Sequence, residues 1–305
     1  MRITQSMLSN NMLRNVMSSY SKMGKLQEQL SSGKKVNRPS DDPVTVMKSL
    51  GYGMTVDKVA QYQKNLGEVN NWLDSSDDAL DGVGKVIHRA RELVTNAANT
   101  GTMTPEDREK IKIELEQMRN QLQDLANTKV GDKYIFTGTM TDKPLYDNGY
   151  PQLSTDKDAD GNLIDPTMLP TGFKKDVTIE VFDGVSLKVN TTAAETFKGI
   201  DDLFEDLEAI GDDGAGFSEA LTKIDTFMND VLTQRADIGA RSNRAELMNN
   251  RLEMQEGAAK KQRSENEDID YEKVITDMIT QESIHRAALS VGARIIQPSL
   301  VDFLR

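Results

Sequence analysis

A glycine followed by a lysine, Gly33 and Lys34, lies in the stretch LSSGKKVNRPSDDPVTVM at 30–47. A phosphate-binding P-loop needs another glycine five positions before this one and a serine or threonine after the lysine. The sequence has Glu28 and Lys35 there. The preceding segment also has a helical pattern, whereas a P-loop follows a strand. We therefore expect no nucleotide site and interpret the stretch as a connection between helices.

Three aspartates at alternate positions, Asp156, Asp158 and Asp160, precede Gly161 and match the first half of an EF-hand calcium loop. The twelfth position of such a loop holds a bidentate glutamate, but here it is Thr167. No helical pattern flanks the segment on either side. We interpret it as an acidic turn and expect no calcium site.

The remaining candidates for catalysis are isolated from one another. His88 and His285 lie in separate helical patterns without a second histidine nearby. Ser218 in GFSEA lacks the second glycine of a nucleophile elbow. The carboxylates at 77–78 and 201–202 are adjacent, so on a helix they point about 100° apart. We expect no catalytic residues, no metal and no cofactor, and predict that the protein is not an enzyme.

The composition favours long exposed helices over one thick globular core. Of 305 residues, 37% are hydrophobic and 5% aromatic, while 28% are charged. The absence of cysteine excludes disulfides, zinc ribbons and thiol nucleophiles. Residues 1–20 lack the pattern of a cleaved secretory signal, and no run approaches the ~18 apolar residues of a membrane span. We expect no membrane partner.

Charge is distributed unevenly along the chain, whose formal net charge is −12. Residues 1–64 have ten Lys and Arg against four Asp and Glu, whereas residues 264–305 have eight acidic against four basic residues. The basic residues are spread along a helical pattern with only three tyrosines among them, and the acidic remainder would repel phosphate. We therefore expect no nucleic-acid partner, and we infer that the two ends attract one another.

The strongest periodic pattern starts at residue 59 and alternates steps of three and four over more than five heptads, which predicts a long helix with a narrow apolar seam. Thr104 and Pro105 are predicted to start the next helix. A returning helix is predicted from Phe217. The seam residues of the first run are Val59, Tyr62, Leu66, Val69, Leu73, Ser76, Leu80, Val83, Ile87, Ala90, Val94 and Ala97.

The segment from about 130 to 195 has short β-like runs separated by turn residues. One predicted strand includes Tyr134, Ile135 and Phe136. Alternating apolar residues at 177–181 and 185–189 flank Asp183-Gly184, a pair that predicts a two-residue hairpin turn. Nothing in this region converges on a catalytic site, although an enzyme or adhesin domain on a helical stalk stays open as a different class of function.

We predict a mainly α fold with a β-rich insertion, of the α+β class, in which both chain ends build a long antiparallel helical rod or coiled coil. The predicted domains are terminal assembly helices at 1–45 and 262–305, a helical rod at 46–130 and 196–261, and a β-rich outer domain at 131–195.

Both ends have amphipathic helical patterns with narrow apolar stripes. The last one, from about 264 to 297, is predicted as one helix that Pro298 stops. Exposed ion pairs add only ~0.2–1 kcal/mol each, so the apolar residues must supply the affinity of an assembly interface. The predicted interface residues are Met7, Leu13, Val16, Tyr20, Met23, Leu30, Ile275, Met278, Leu289, Ile295, Ile296 and Leu300.

The stretch at 30–47 is predicted to be a hinge between helices. Gly33 can end the first helix in a left-handed conformation, with Lys34 and Lys35 facing the negative end of that helix. Asp42 can cap the next helix, with Pro43 at its first position. The predicted hinge residues are Gly33, Asn37, Arg38, Asp42 and Pro43.

Four motifs resemble the bacterial flagellin family: MRIT at the start, LSSGKKVNRPSDDP at 30–43, RARELVTNAANTGT at 89–102 and the ending QPSLVDFLR. The resemblance covers roughly residues 1–140 and 218–305. Within that family the chain resembles the hook-associated junction members more than the filament subunit. The segment GDKYIFTGT at 131–139, Pro43 in place of an alanine, and the ending VDFLR favour this reading.

The resemblance implies a structural subunit of the flagellum that connects the hook, through another hook-associated protein, to the flagellin filament. It implies self-association as a ring, export through the flagellar type III apparatus with a cytoplasmic chaperone, and an extracellular location. It also implies terminal helices that are largely disordered in the monomer and form a coiled coil in the polymer. The residues agree with this, because narrow seams alone bury too little apolar surface to offset the entropy cost of ordering the helices. A filament subunit is the alternative.

Overall fold

The structure is a computed structural model that describes residues 5–98, 104–154, 168–210 and 216–296. Long helices come from both ends of the chain, and a small β region lies between them in sequence, which confirms the predicted fold class. The helices are α1 (Gln5–Ser32), α2 (Pro43–Ala97), α3 (Pro105–Ala126), α4 (Ala194–Ala209), α5 (Phe217–Glu267) and α6 (Tyr271–Ile296).

The chain divides into two compact units. The terminal unit consists of Met1–Lys58 and Met254–Arg305, and the central unit consists of Val59–Glu253. α1 and α6 belong to the terminal unit, while α3, α4 and the β region belong to the central unit. The long helices α2 and α5 contribute residues to each unit.

The predicted long seam lies within α2, and every one of its positions from Val59 to Ala97 is buried. Its one polar member, Ser76, donates a hydrogen bond to the carbonyl oxygen of Trp72 at 2.7 Å, so its hydroxyl is satisfied inside the seam. The three-and-four spacing therefore predicted both the helix and its buried face correctly.

α3 begins as its capping residues predict. The hydroxyl of Thr104 accepts a hydrogen bond from the amide of Asp107 at 3.2 Å, and Pro105 is the first helical residue. Because the first amides of a helix lack partners within the helix, this bond satisfies one of them.

α5 packs in the central unit through buried residues at seven-residue intervals. The positions four residues after each of these are apolar at first and are polar from Arg235 onward. At one of these, the guanidinium of Arg235 pairs with Asp77 at 2.8 Å and with Asp81 at 2.6 Å on α2. The α2–α5 seam thus combines apolar packing with ion pairs. The buried residues are Phe217, Ile224, Val231, Ile238, Ala245 and Leu252.

The β region contains three two-stranded antiparallel sheets among the described residues. Strands β1 (Lys129–Val130) and β2 (Lys133–Tyr134) pair, as do β3 (Tyr146–Asp147) and β4 (Tyr150–Pro151), and β5 (Thr178–Phe182) pairs with β6 (Val185–Lys188). A 3₁₀ helix spans Thr171–Lys174. The predicted hairpin at Asp183-Gly184 is confirmed, and Gly184 has the positive φ of 70° that its turn requires.

The predicted strand through Tyr134, Ile135 and Phe136 is wrong beyond its first residue, because β2 ends at Tyr134. Both Ile135 and Phe136 are fully buried, whereas successive side chains of a strand point to opposite faces. The Phe136 ring lies 4.8 Å, between centroids, from the ring of Phe197 on α4. The chain therefore turns into the core after β2 instead of extending along a sheet.

A buried ion pair joins α3 to α4. The guanidinium Nε of Arg119 lies 2.8 Å from Oδ1 of Asp201, whose residue is only 1% exposed. The same carboxylate oxygen accepts a hydrogen bond from the side-chain amide of Gln123 at 2.9 Å. A carboxylate buried this deeply requires such partners, because desolvation penalises its charge.

Glu208 also faces Arg119, at 3.7 Å, and burial raises the pKa of its carboxyl above the ordinary value of 4.5. A raised folded-state pKa means that the folded protein binds more protons than the unfolded chain, so the free energy of unfolding falls as pH rises above 4.5. We expect Glu208→Gln to gain stability relative to the native chain as pH rises from 4.5 to neutrality. Urea unfolding at several pH values measures this difference.

The matched control is Glu205→Gln, which changes an exposed carboxylate that pairs with Arg119 at 3.0 Å. Comparison of the two variants separates the effect of burial at Glu208 from the loss of one carboxylate beside Arg119. Parallel pH profiles of Glu208→Gln and the native chain would show that Glu208 does not titrate differently in the folded state.

Candidate assembly interface

The terminal unit pairs α1 with α6 in antiparallel orientation. Near one end Gly292 contacts the thioether of Met12, and in the middle the side-chain amide of Gln281 donates to the hydroxyl of Ser19 at 2.7 Å. The inward residues repeat at alternating steps of three and four on both helices, as in a coiled coil. They are Met12, Val16, Ser19, Met23, Leu26 and Leu30 on α1, and Val274, Met278, Gln281, His285, Ala288 and Gly292 on α6.

The middle of this seam is polar and imperfectly satisfied. Ser19 is buried, and the ring of His285 lies 6.1 Å from the ring of the exposed Tyr20, between centroids. The Nδ1 atom of His285 is buried without a hydrogen-bond partner among the described residues. An unsatisfied buried polar atom costs ~1–3 kcal/mol. This atom therefore subtracts from the stability that the apolar residues of the seam provide.

The outer faces of α1 and α6 expose many large apolar side chains. On α1, Leu13 is 53% exposed and Tyr20 is 67% exposed. Large apolar side chains that stay exposed in such number on two paired helices are candidates for contact with another molecule. The exposed residues are Met7, Leu8, Leu13, Met17 and Tyr20 on α1, and Tyr271, Ile275, Ile279, Ile284, Leu289 and Val291 on α6.

The predicted interface residues divide between these two faces. Four of them are half-buried in the seam: Val16, Met23, Leu30 and Met278. Five are exposed on the outside: Met7, Leu13, Tyr20, Ile275 and Leu289. The side chains of Ile295 and Ile296, and the whole of Leu300, lie outside the described residues.

A short backbone pairing joins the turn after α1 to the turn after α5. The amide of Lys35 donates to the carbonyl of Glu267 at 2.6 Å, and the amide of Ile269 donates to the carbonyl of Gly33 at 3.1 Å. The ammonium of Lys34 lies 2.7 Å from Glu267 and 2.9 Å from Asp268. We call residues 33–35 and 267–269 the clasp, because they connect segments more than 230 positions apart.

The ionic groups of the clasp stabilise one another in their charged forms. Hydrogen bonds from Ser264 and Lys34 lower the pKa of Asp268. Burial raises the pKa of Glu267, but hydrogen bonds from Lys34 and Arg263 outweigh it, and the pKa lies below its ordinary value. The hydrogen bonds to Glu267 and Asp268 raise the pKa of Lys34. The clasp therefore stays ionised from mildly acidic to alkaline pH.

The clasp corrects two predictions. The ammonium groups of Lys34 and Lys35 do not bind the end of α1. Lys34 binds the carboxylates of Glu267, the last residue of α5, and of Asp268, and the ammonium of Lys35 donates to the carbonyl of Glu265 at 2.8 Å. The predicted single helix from 264 to 297 is also wrong, because α5 ends at Glu267 and α6 begins at Tyr271. The backbone between them pairs with the other turn and cannot remain helical.

The hinge residues adopt the predicted helix ends. Gly33 has a φ of 70° and its amide donates to the carbonyl of Gln29, which closes α1. The Asp42 carboxylate accepts from the amide of Thr45 at 3.2 Å, and Pro43 begins α2. Asn37 is half-buried beside a cleft, and Arg38 pairs with Glu28 at 3.6 Å.

Gly33 offers a direct test of the clasp. An added Cβ would lie 2.9 Å from the hydroxyl of Tyr271, and its φ disfavours any other residue. We expect Gly33→Ala to destabilise the terminal unit by about 1 kcal/mol or more, and circular dichroism should show a loss of helix. The control is Gly24→Ala within α1, where a Cβ meets open space and should instead favour helix. A rise in helix content for both variants would contradict the role of Gly33.

The described residues contain no group of three or more acidic or histidine side chains that could hold a metal ion. None of the described helices has the length and apolar character of a membrane span. The EF-hand-like residues Asp156, Asp158 and Asp160 lie outside the described part of the chain.

Two models of known protein families match this chain, one at each end. Residues 3–141 match the bacterial flagellin N-terminal helical region, and residues 221–304 match the bacterial flagellin C-terminal helical region. The chain belongs to the bacterial flagellin family. Its matched regions contain all of α1, α2, α3 and α6 and most of α5, so the clasp and the exposed apolar faces lie within the flagellin helical regions.

Similar proteins span nearly the whole chain. Flagellar hook-associated protein 3 of Escherichia coli (strain K12) is 26% identical over 310 residues, covering 94% of this chain and 95% of that relative. The flagellin of Bacillus subtilis (strain 168) is 25% identical over 305 residues, covering 97% of both. The structure of a flagellar hook-associated protein from Vibrio parahaemolyticus has a TM-score of 0.59 and 25% identity, covering 75% of this chain and all of that one.

Proposed function

We propose that this flagellin-family protein is the junction subunit that connects the flagellar hook to the filament. The similarity to hook-associated protein 3 over nearly the full length of both chains supports the junction role. The similar solved structure of a hook-associated protein supports it as well. The observation that carries an assembly role is the large apolar surface that α1 and α6 leave exposed.

The proposed partners are further copies of this chain in a ring, another hook-associated protein on the hook side, and flagellin on the filament side. A subunit at this position acts outside the cell, so we propose export through the flagellar type III apparatus with a cytoplasmic chaperone that covers the apolar helices beforehand. The protein has a structural and not an enzymatic role in this proposal.

We propose further that the terminal helices become ordered on assembly. The polar seam centre and the exposed apolar residues both indicate that α1 and α6 need additional contacts to offset their ordering entropy. In the free chain, we expect fast hydrogen exchange over about 1–40 and 265–305 and slow exchange in the central unit. Slow exchange at both chain ends of the free monomer would contradict this proposal.

Deletion of the gene tests the junction role. We expect cells without the protein to keep intact hooks and to release unpolymerised flagellin into the medium, because filament subunits would have no surface on which to start. Expression of the full chain should restore filaments.

The alternative is a filament subunit, which the similarity to Bacillus subtilis flagellin over the full chain favours. In that case deletion would remove or thin the filament without shedding another flagellin. Normal filaments after deletion would contradict both functions.

A further inference from the structure

The first turns of α2 expose four large apolar side chains. Val44, Met47, Leu50 and Met54 lie at steps of three and four, so they share one face of the helix. They are between 56% and 69% exposed. We call these four residues the arm-base surface. It is separate from the exposed faces of α1 and α6.

The opposite face of α2 packs within the terminal unit without using these residues. Thr45, Ser49 and Tyr52 are half-buried on this opposite face. The side-chain amide of Asn266 donates to the carbonyl of Thr45 at 3.0 Å. A helix that packs only within its own chain turns its large apolar residues inward. Here Val46 and Val56 are half-buried on the inward side, whereas the four residues of the arm-base surface stay uncovered, so this surface is suited to contact another molecule.

A cleft of about 260 Å³ adjoins the arm-base surface and extends its apolar area. Val36, Pro39, Val46 and Leu50 line it, together with Lys34 and Glu267 of the clasp. An apolar side chain from a partner could therefore enter beside Leu50. Methionines at 47 and 54 add flexible thioethers that adapt to such a partner.

The surface with complementary character in this chain is the first half of α6. Ile275 and Ile279 are exposed there, 44% and 57%, on the same side of the helix as Glu272, three positions before Ile275, and Glu282, three positions after Ile279. Residues 270–282 have four acidic residues against one lysine. Lys34 and Arg38 are paired within the chain, with Glu267 and Glu28, so the positive charge considered beside the arm-base surface is that of Lys48, four positions after Val44. Apolar residues and opposite charges thus match. Both surfaces are exposed within one copy, so they do not cover each other there.

We propose that the arm-base surface of one copy packs against the first half of α6 in a second copy. Because the two surfaces differ, the contact is head-to-tail, and repeating it produces a ring or a helical array. The inference specifies a self-contact of the junction subunit and in that sense rests on the proposed function. Each copy has one surface of each kind, so in a closed ring every arm-base surface can be covered by an α6 of the next copy.

The absence of cysteine permits a direct cross-linking test. Two full-length variants with different tags, Met47→Cys and Ile279→Cys, are expressed in the same cells, so any disulfide between them joins two copies. The control pairs Ile279→Cys with Met168→Cys, an exposed methionine of the central unit. Mild oxidation is applied to isolated flagella and, separately, to the purified chains concentrated together.

We expect the 47–279 disulfide to form at least five times more than the 168–279 disulfide in isolated flagella, in concentrated purified chains, or in both. Equal yields in both samples would overturn the inference. Protection of the Met47→Cys thiol from alkylation in flagella, without a copy-to-copy disulfide, would assign the surface to another protein and also overturn it. If the chain is missing from isolated flagella, the proposed function fails, and the purified-chain yields alone decide the contact.

Discussion

We expect cells that carry Leu13→Asp to lose most of their filaments while the purified variant keeps the stability of the native central unit. Leu13 is 53% exposed on α1, so a charge costs little in the free chain. In an assembled apolar interface, an unpaired carboxylate would cost about 3 kcal/mol or more, which weakens each contact about 100-fold. Electron microscopy of whole cells counts the filaments, and thermal unfolding measures stability.

The control for Leu13→Asp is Ile113→Asp on α3, where the side chain is 57% exposed but belongs to the central unit. It introduces the same charge at an equally exposed aliphatic residue, and we expect filaments to persist. Normal filaments with Leu13→Asp, or an equal loss with both variants, would show that the outer face of α1 is not specifically an assembly surface.

We expect Arg119→Met to reduce the free energy of unfolding of the central unit by about 3 kcal/mol. The substitution removes the guanidinium 2.8 Å from the buried carboxylate of Asp201 and leaves Gln123 as its remaining neutral partner. Removing one member of a buried ion pair costs ~3–5 kcal/mol, because the other charge stays desolvated. For a unit of this size, the melting temperature should fall by about 6–12 °C.

Two comparisons isolate the cause. Arg89→Met removes an exposed pair with Glu114 at 2.9 Å and should cost less than ~1 kcal/mol. The double variant Arg119→Met with Asp201→Asn removes the stranded charge and should recover part of the loss. A loss for Arg119→Met as small as that for Arg89→Met would contradict the assignment of a strong buried pair.

The parts of the fold that follow local rules were predictable from the sequence. The α2 seam is buried throughout because one helix face can be read from spacing alone. The helix ends at Gly33 and Asp42 depend on backbone conformation and capping within a few residues. The hairpin around Gly184 depends on a two-residue turn.

The parts that depend on distant partners were not predictable in the same way. The partner of Lys34 lies 233 positions away, so spacing gave no indication that it binds Glu267 and not the end of α1. The break before α6 contains no glycine or proline. The one local signal is Asp270, whose carboxylate accepts from the amide of Lys273 at 3.2 Å as a helix cap.

The candidate interface shows the same division. The sequence placed Leu13 and Val16 on one apolar stripe, but spacing alone does not reveal which edge of that stripe a neighbouring helix covers. Only the packing of α6 separates the half-buried Val16 from the exposed Leu13. The arm-base surface was not predicted, because its four apolar residues continue a helical pattern that is usually buried.

Localisation in isolated flagella tests the junction role most directly. Antibody or tag labelling of the full chain, viewed by electron microscopy, shows where the subunit resides. The proposed function predicts a single narrow band at the boundary between hook and filament, with the rest of the filament unlabelled. Labelling along the whole filament, or no label on flagella that carry normal filaments, would contradict it.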